Sequence, residues 1–266
     1  MEEQDNNVTV PEPKVLPRFL QDFLTDLGRA SKFFTRFFKE AFSAPFEGRE
    51  VLVQCYNVGY KSYPLVMITG FIMGLVLTLQ SRPTLAEFGA ESWLPGMVAL
   101  SLVREIAPVI TALICAGKIA SGIGAELGSM KVTEQIDAME VSAINPFKYL
   151  VVTRVVATTL MIPLLVILAG AVGILGSYDG VNIKGYVSLY SFVHSAFASV
   201  GFSDLFPALI KTFFFGFAIG IIGCYNGYNA AQGTESVGKA ANAAVVSASL
   251  AIFIIDMFAV QITELL

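Results

Sequence analysis

Five apolar runs, each long enough to cross a lipid bilayer as a helix, dominate the sequence. A membrane-spanning helix needs roughly 20 predominantly apolar residues in a row. Only 14% of the residues are charged, whereas an ordinary soluble domain carries about a quarter. We therefore predict an all-α integral membrane protein with about five transmembrane helices, at residues 63–80, 94–117, 155–175, 205–225 and 243–262.

Another apolar stretch, residues 185–202, is rich in serine and contains the single histidine, His194. Polar and ionisable side chains are costly inside a bilayer. This composition favours a helix that lies at the membrane surface. A sixth span is the alternative interpretation.

The positions of lysine and arginine predict the orientation of the chain, because cytoplasmic loops carry an excess of both residues. They concentrate before the first span, between the second and third spans, and before the fifth. The opposite side has only Arg82 and Lys184, together with Lys211 just inside the fourth span. We expect a multi-pass protein whose N-terminus is cytoplasmic and whose C-terminus lies on the other side.

The chain before the first span divides into two parts. Residues 1–16 are polar and are predicted to form a disordered cytoplasmic tail. In residues 17–46, phenylalanine and leucine recur at helical spacing, largely separated by basic residues, which are Arg29, Lys32, Arg36 and Lys39. This pattern is typical of an amphipathic helix in the membrane interface. A helix packed on a protein partner would have the same pattern.

Enzymatic chemistry has little support in the sequence. One histidine and three cysteines far apart do not provide the usual metal cluster or Ser-His-Asp arrangement. We therefore expect no catalytic residue, metal or cofactor in this chain, and no basic block suggests nucleic acid. The stretch "GTESVGKAAN" (233–242) begins like a phosphate-binding P-loop, but Ala240 stands where a working loop has the Ser or Thr that holds Mg²⁺. Nucleotide binding is not predicted.

The notable ionisable residues inside the predicted spans, besides Lys211, are Arg104 and Glu105 in the second and Asp256 in the fifth. Such residues usually face a bundle interior, a cavity or a partner. Adjacent residues on a helix point about 100° apart, so Arg104 and Glu105 need not pair with each other. Arg104 is a candidate to receive a lipid phosphate. The alternative is that these residues tie helices together or lie at a dimer interface.

The segment between the second and third spans, residues 118–148, is long and patterned. Thr133 and Glu134 open a predicted helix with apolar Ile136, Met139 and Val141, and Asn145-Pro146 ends it. A short cytoplasmic helix here is a plausible docking element for another protein. A plain surface helix is the alternative.

Four stretches together carry a resemblance to a known family. They are "VQCYNVG" (53–59), "GMVALSLVREIAPV" (96–109), "AELGSMKVTEQIDAMEVSAINPFKYLVVTRVVA" (125–157) and "CYNGYNAAQGTESVGKAANAAVVSASLAIFIID" (224–256). In this order they resemble the MlaE-type permeases, the integral subunits of ABC transporters that move phospholipids or related lipids. The resemblance covers nearly everything from about Glu47 onward, so residues 47–266 are expected to form the transmembrane permease domain.

The resemblance implies an inner-membrane protein that forms a dimer with a second copy of itself and has an interfacial helix before its five spans. It also implies a separate cytoplasmic ATPase, which binds ATP and Mg²⁺, and an MCE-domain protein on the other face. The ATPase-coupling residues it implies are Glu126, Met130, Thr133, Glu134, Gln135 and Asp137.

Our hypothesis is a permease whose dimer encloses a mostly apolar cavity for acyl chains, lined by the first, second and fifth spans. The candidate substrate-path residues are Leu75, Leu79, Arg104, Glu105 and Asp256. One rival is an ion or solute carrier that is driven by a gradient and uses the charged residues as a relay. The other rival is a membrane scaffold without transport activity.

Overall fold

The computed structural model describes residues 18–44, 46–183 and 185–265, and these residues form helices and no strand. The predicted tail, residues 1–16, lies outside them. The helices are α1 (Arg18–Ala41), α2 (Gly48–Glu87), α3 (Glu91–Val132), α4 (Gln135–Val141), α5 (Phe147–Asn182), α6 (Leu189–Ala198), α7 (Phe202–Tyr228) and α8 (Thr234–Leu265).

Within the described residues, five helices are long and apolar enough to cross a membrane: α2, α3, α5, α7 and α8. This finding confirms the predicted fold class. The helices extend beyond the predicted spans, since α2 has 40 residues and α3 has 42, and where the membrane crosses them stays a prediction. The polar ends of these helices continue beyond the apolar runs, which the hydropathy of the sequence does not show. Residues 118–132 therefore belong to α3 and are not part of a separate segment.

The stretch 185–202 forms the short helix α6, which has 10 residues. A helix of this length extends only about 15 Å, half the thickness of a bilayer core. The hydroxyl of Ser188 caps it by accepting a hydrogen bond from the Ser191 amide, and Phe192 and Ala196 are buried against the bundle. The predicted helix is present and is too short to be a sixth span, and its location at the membrane surface stays a prediction.

Close contact between α2 and α5 depends on glycines of both helices. A Cβ atom at Gly70 would lie 2.7 Å from the backbone oxygen of Ala169, and one at Gly74 would collide with the backbone oxygen of Gly173. Small residues allow helix backbones to approach where lipid provides no hydrophobic drive for association. The spacing Gly70-x-x-x-Gly74 therefore marks a packing face.

Glycines of helix α7 allow equally close packing against two other helices, α5 and α3. A Cβ at Gly216 would lie 2.6 Å from the Thr158 backbone oxygen of α5, and one at Gly227 would lie 2.9 Å from the Gly124 oxygen of α3. The interpretation of these glycine spacings as packing signals is confirmed. As a result α5 and α7 form the centre of the bundle.

The two ends of the bundle carry different elements. At one end α1, α4, the start of α5 and the end of α7 meet, with the ring centroids of Phe147 and Tyr228 5.7 Å apart. At the other end lies α6, and Arg82 of α2 donates a hydrogen bond to the Val181 backbone oxygen at 2.8 Å. The segments rich in lysine and arginine therefore share one end, as the predicted topology requires.

The N-terminal helix α1 packs on this bundle with only part of its apolar face. Phe33 and Phe37 are buried, and the Phe33 ring lies 4.9 Å from that of Phe147. Phe34, Phe38 and Phe42 remain exposed. The predicted helix is confirmed, and its location in the membrane interface stays a prediction.

Candidate functional site

Lys211 of α7 connects three helices through two ion pairs. Its Nζ atom lies 2.7 Å from Oε2 of Glu105 on α3 and 2.9 Å from Oδ1 of Asp256 on α8. The Lys211 side chain is only 5% exposed, whereas that of Glu105 is 41% exposed. A buried cation between two carboxylates links α3, α7 and α8 and leaves one carboxylate accessible.

A local change in α3 presents Arg104 and Glu105. Residues Leu102–Ile106 form a π-helical turn, in which the Ala107 amide donates to the Leu102 oxygen five residues earlier. Pro108 explains this turn, because proline has no amide to donate to the Arg104 oxygen and its ring would clash there. Single π-helical turns within α-helices often occur at functional sites.

Arg104 and Glu105 have different partners, as their spacing predicts. Nη1 of Arg104 lies 4.0 Å from Oδ1 of Asp204 in the first turn of α7. The other oxygen of Asp204 accepts a hydrogen bond from the Gly201 amide at 3.0 Å. This bond holds the Asp204 carboxylate towards Arg104. We call these five residues, Arg104, Glu105, Asp204, Lys211 and Asp256, the charged cluster.

The charged cluster borders two spaces of opposite character. One is a narrow cleft lined by four of its members, together with residues of α8 that include Thr263. The other is an apolar cavity of about 250 Å³ between α3, α5, α6 and α7. Ala208 lines both. Charged groups and an apolar cavity therefore lie side by side, at the end of the bundle where α6 lies.

The structure brings Arg104, Glu105 and Asp256 together, but not Leu75 and Leu79. Those two leucines lie on α2, which packs along α5, and they do not line the charged cleft. Sequence reasoning missed Lys211 and Asp204 as site residues. Lys211 is the only basic residue in the run 205–225, a signal that could have identified it.

At the opposite end of the bundle, Glu126 of α3 pairs with Arg154 of α5. The Arg154 side chain is 3% exposed, and its Nη2 atom lies 2.8 Å from Oε1 of Glu126. Nη1 of Arg154 donates to the Leu150 backbone oxygen at 2.9 Å. Glu126 therefore neutralises a buried guanidinium and joins the end of α3 to the start of α5. Its predicted role in ATPase coupling stays a prediction.

Helix α4 follows α3 through a tight reversal. Glu134 has a left-handed backbone with φ of 59°, and the Thr133 hydroxyl donates to the Ser129 oxygen at 2.8 Å. Lys131 and Asp137 form an ion pair of 2.9 Å across this reversal. The sequence thus located the start of the helix correctly, at Thr133 and Glu134.

Helix α4 is docked by its apolar side. Ile136 is buried and Met139 packs against the core, but Val141 is 90% exposed, contrary to its expected apolar contact. The exposed polar side chains of α4 and of the reversal before it include Thr133, Glu134, Gln135, Asp137 and Glu140. Among the predicted coupling residues, Thr133, Glu134, Gln135 and Asp137 therefore form an accessible polar surface, whereas Met130 is half-buried.

The end of α4 lies four residues before Asn145. The helix stops at Val141, and Ala143 then has a left-handed backbone with φ of 59°. Asn145 Oδ1 accepts a hydrogen bond from the Lys148 amide at 3.2 Å. Asn145-Pro146 therefore opens α5 and does not end α4, which corrects the prediction.

We expect Glu126→Ala to lower the free energy of unfolding by about 2 kcal/mol, since a hydrogen bond to a charged group is lost and Arg154 stays buried. Glu140→Ala, at an exposed position of α4, is the control and should change it by less than about 0.5 kcal/mol. Thermal unfolding in detergent measures both. Equal stability of the two variants would contradict a structural role for the Glu126–Arg154 pair.

Comparison with known proteins places the chain in a family. The family model described as Permease MlaE matches residues 51–262. A probable ABC transporter permease protein of Rickettsia typhi is 39% identical over 216 residues, which cover 81% of this chain and 82% of the relative. The intermembrane phospholipid transport system permease protein MlaE of Haemophilus influenzae is 38% identical over 205 residues, 76% of this chain and 78% of the relative.

A plant protein is also similar. The chloroplastic protein TRIGALACTOSYLDIACYLGLYCEROL 1 of Arabidopsis thaliana is 33% identical over 208 residues, which cover 78% of this chain and 59% of the relative. The family match extends from the start of α2 almost to the end of α8 and so includes all five long helices and the charged cluster. The chain belongs to the MlaE permease family.

Proposed function

We propose that this chain is the permease subunit of an ABC transporter that moves phospholipids or related lipids between the inner and outer membranes. The observation that carries the proposal is the charged cluster beside an apolar cavity of about 250 Å³. A phospholipid combines an anionic phosphate with acyl chains. Arg104 is 40% exposed, so its guanidinium remains accessible for a charge-assisted hydrogen bond to a phosphate.

A second copy of the chain would complete the lipid path. Of the five long helices, α2 and α8 have the smallest buried shares, 22% and 17%. Their exposed apolar side chains include Ile68 and Ile72 on α2, and Leu250 and Phe253 on α8. Two such faces across a dimer axis would form the apolar cavity in which we place Leu75 and Leu79.

The different character of the two ends of the bundle supports two separate partners. We place a separate ATPase, which binds ATP and Mg²⁺, on the polar surface of α4. The positive charge at that end supports a cytoplasmic location in an inner-membrane protein with a cytoplasmic N-terminus. An MCE-domain protein would bind at the other end, beside α6 and the charged cluster. The chain itself would supply the lipid path and no hydrolysis.

Mass spectrometry of material that co-purifies with the full chain tests this proposal. We expect an ABC ATPase, an MCE-domain protein and phospholipid in the same purified complex. Recovery of the dimer without an ATPase and without lipid would support the scaffold hypothesis instead.

Charge reversal on α4 tests the site of coupling. We expect Glu134→Lys combined with Asp137→Lys to lower ATP-driven lipid movement by about tenfold or more, because the surface that transmits the motion is altered. Retention of the ATPase on the complex and its hydrolysis rate are measured in parallel. Unchanged hydrolysis and unchanged lipid movement would contradict the coupling assignment.

The matched control is a double charge reversal at the other end of the bundle. Glu87 and Glu264 are both exposed, at the ends of α2 and α8. Glu87→Lys combined with Glu264→Lys should leave the retention of the ATPase unchanged. Loss of the ATPase from the control as well would indicate a general effect of charge, not a surface on α4.

A gradient-driven carrier remains the second candidate function, and one observation favours it. Glu105 and Asp256 both contact the buried Lys211 amine, and linked titratable groups inside a membrane can form a proton relay. Such a carrier would work without an ATPase and would respond to the membrane potential.

A further inference from the structure

A large apolar groove runs between α1 and the bundle, at the end where α4 lies. Its volume is about 590 Å³, within the range of roughly 300–1,000 Å³ that small-molecule sites have. We call it the phenylalanine groove and define it by Phe34, Phe38 and Phe42 of α1, Leu160 of α5, and Phe213 and Phe214 of α7. Its α7 residues lie near the middle of that helix, about three turns after Asp204 of the charged cluster, and it shares no lining residue with the charged cleft.

Contacts between α1 and the start of α5 hold this groove open. Asn145 Nδ2 donates to Glu40 Oε2 at 3.0 Å, and Lys148 Nζ donates to the Ser43 hydroxyl at 3.0 Å. Phe217 forms the floor, with its ring 5.6 Å from that of Phe34. Because α1 is fixed at this distance from α7, the groove is a preformed space.

A basic stripe follows the phenylalanines of α1. Lys32, Arg36 and Lys39 are exposed and lie about a third of a turn from the stripe of Phe34, Phe38 and Phe42. Lys39 and Phe42 are three residues apart and are therefore neighbours on the helix surface. Glu40, the one acidic residue among residues 27–41, is held by Asn145 on the side of the bundle. The rim of the groove on α1 is thus positively charged.

We propose that the phenylalanine groove binds one acyl chain of an anionic phospholipid, whose headgroup phosphate contacts Lys39 and Lys32. This lipid is a bound component of the permease and is not its cargo. The apolar lining of the groove is complementary to a hydrocarbon chain. The positive charge of the rim is complementary to an anionic headgroup, because lysine and arginine attract anionic lipids at a membrane surface. An apolar helix of a partner protein would gain nothing from the basic rim.

Electron paramagnetic resonance with spin-labelled lipids tests the site. The full chain is placed in nanodiscs without an ATPase, so the result does not depend on transport. Spin-labelled phosphatidylglycerol is compared with spin-labelled phosphatidylcholine. We expect the wild-type protein to immobilise phosphatidylglycerol more strongly, by about fivefold for each of Lys32 and Lys39. Lys32→Gln combined with Lys39→Gln should remove this preference.

A second test fills the groove with a larger side chain. Leu160→Trp should release about one immobilised phosphatidylglycerol per chain, because the indole would occupy the space of the acyl chain. The matched control is Leu164→Trp, one turn further along α5. Leu164 is 48% exposed, close to the 53% of Leu160, but it does not line the groove. This variant should release no immobilised lipid. If Leu160→Trp does not fold, Leu160→Phe serves as a milder filling variant.

Two outcomes would overturn the proposal. One is equal immobilisation of the two lipids by the wild-type protein. The other is the same number of immobilised lipids in the Leu160 and Leu164 variants. A protein segment that co-purifies in the groove and excludes both labelled lipids would produce the second outcome.

Discussion

Lys211→Met is expected to destabilise the protein by about 3 kcal/mol and to abolish lipid transport. Methionine has nearly the length of lysine but no charge, so Glu105 and Asp256 would be left facing each other without a cation. Removal of one partner from a buried ion pair costs about 3–5 kcal/mol. We take the lower end because Glu105 is 41% exposed. Thermal unfolding and a transport assay in proteoliposomes measure the two effects.

The chain offers a matched control for this substitution. Lys239 pairs with Glu235 at 2.8 Å on the exposed surface of α8, with side-chain exposures of 74% and 82%. Surface ion pairs contribute about 0–1 kcal/mol, so Lys239→Met should leave stability nearly unchanged. An equal loss of stability in both variants would contradict the claim that burial makes the Lys211 ion pairs more important than a surface pair.

A triple variant separates the structural role of the charged cluster from its transport role. Lys211→Met combined with Glu105→Gln and Asp256→Asn removes the two uncompensated carboxylates along with the cation, and replacement of a whole buried ion pair is often neutral for stability. We expect this variant to regain stability but not transport. Recovery of transport together with stability would show that the cluster only ties the helices together.

Gly74→Ala is expected to prevent close packing of α2 on α5 and to lower the free energy of unfolding by about 3 kcal/mol or more. The added Cβ would collide with the Gly173 backbone oxygen and lie 2.9 Å from the Gly173 Cα. These atoms belong to a helix backbone and cannot rotate away as a side chain could. Insertion of a methyl group into a well-packed core costs about 1–3 kcal/mol, occasionally more.

The control for this substitution is Gly122→Ala in α3. A Cβ at Gly122 meets nothing within 4 Å, and alanine favours a helix over glycine by about 0.5–1 kcal/mol. We therefore expect equal or slightly higher stability for Gly122→Ala. The yield of folded protein from detergent and its unfolding temperature are the measurements. A stable Gly74→Ala variant would contradict the close approach of α2 and α5.

The spans were predictable because each apolar run must leave water, whereas the helix ends were not. Residues 118–132 continue α3 although they are polar, since a helix can project beyond the bilayer. The π-helical turn at Leu102–Ile106 also escapes hydropathy. Pro108 marks its location in the sequence, but a proline within a span can equally produce a simple kink.

The site was predictable one residue at a time but not as a set. Arg104, Glu105 and Asp256 were found because ionisable residues inside apolar runs are conspicuous. Their common link, Lys211, lies just inside the predicted fourth span and follows the same rule, but it was counted only as a charge that indicates orientation and not as a site residue. The pairing itself depends on how α3, α7 and α8 are rotated against each other. That rotation comes from packed surfaces such as the glycine faces of α7, not from any local sequence signal.

The most direct test of the central claim is lipid movement by the complex of this chain with its ATPase in proteoliposomes. A fluorescent phospholipid is followed with and without ATP, and in the presence of ionophores that collapse ion gradients and the membrane potential. We expect movement that requires ATP and the ATPase and does not change with ionophores. Movement that proceeds without the ATPase and stops when the gradients collapse would contradict the account.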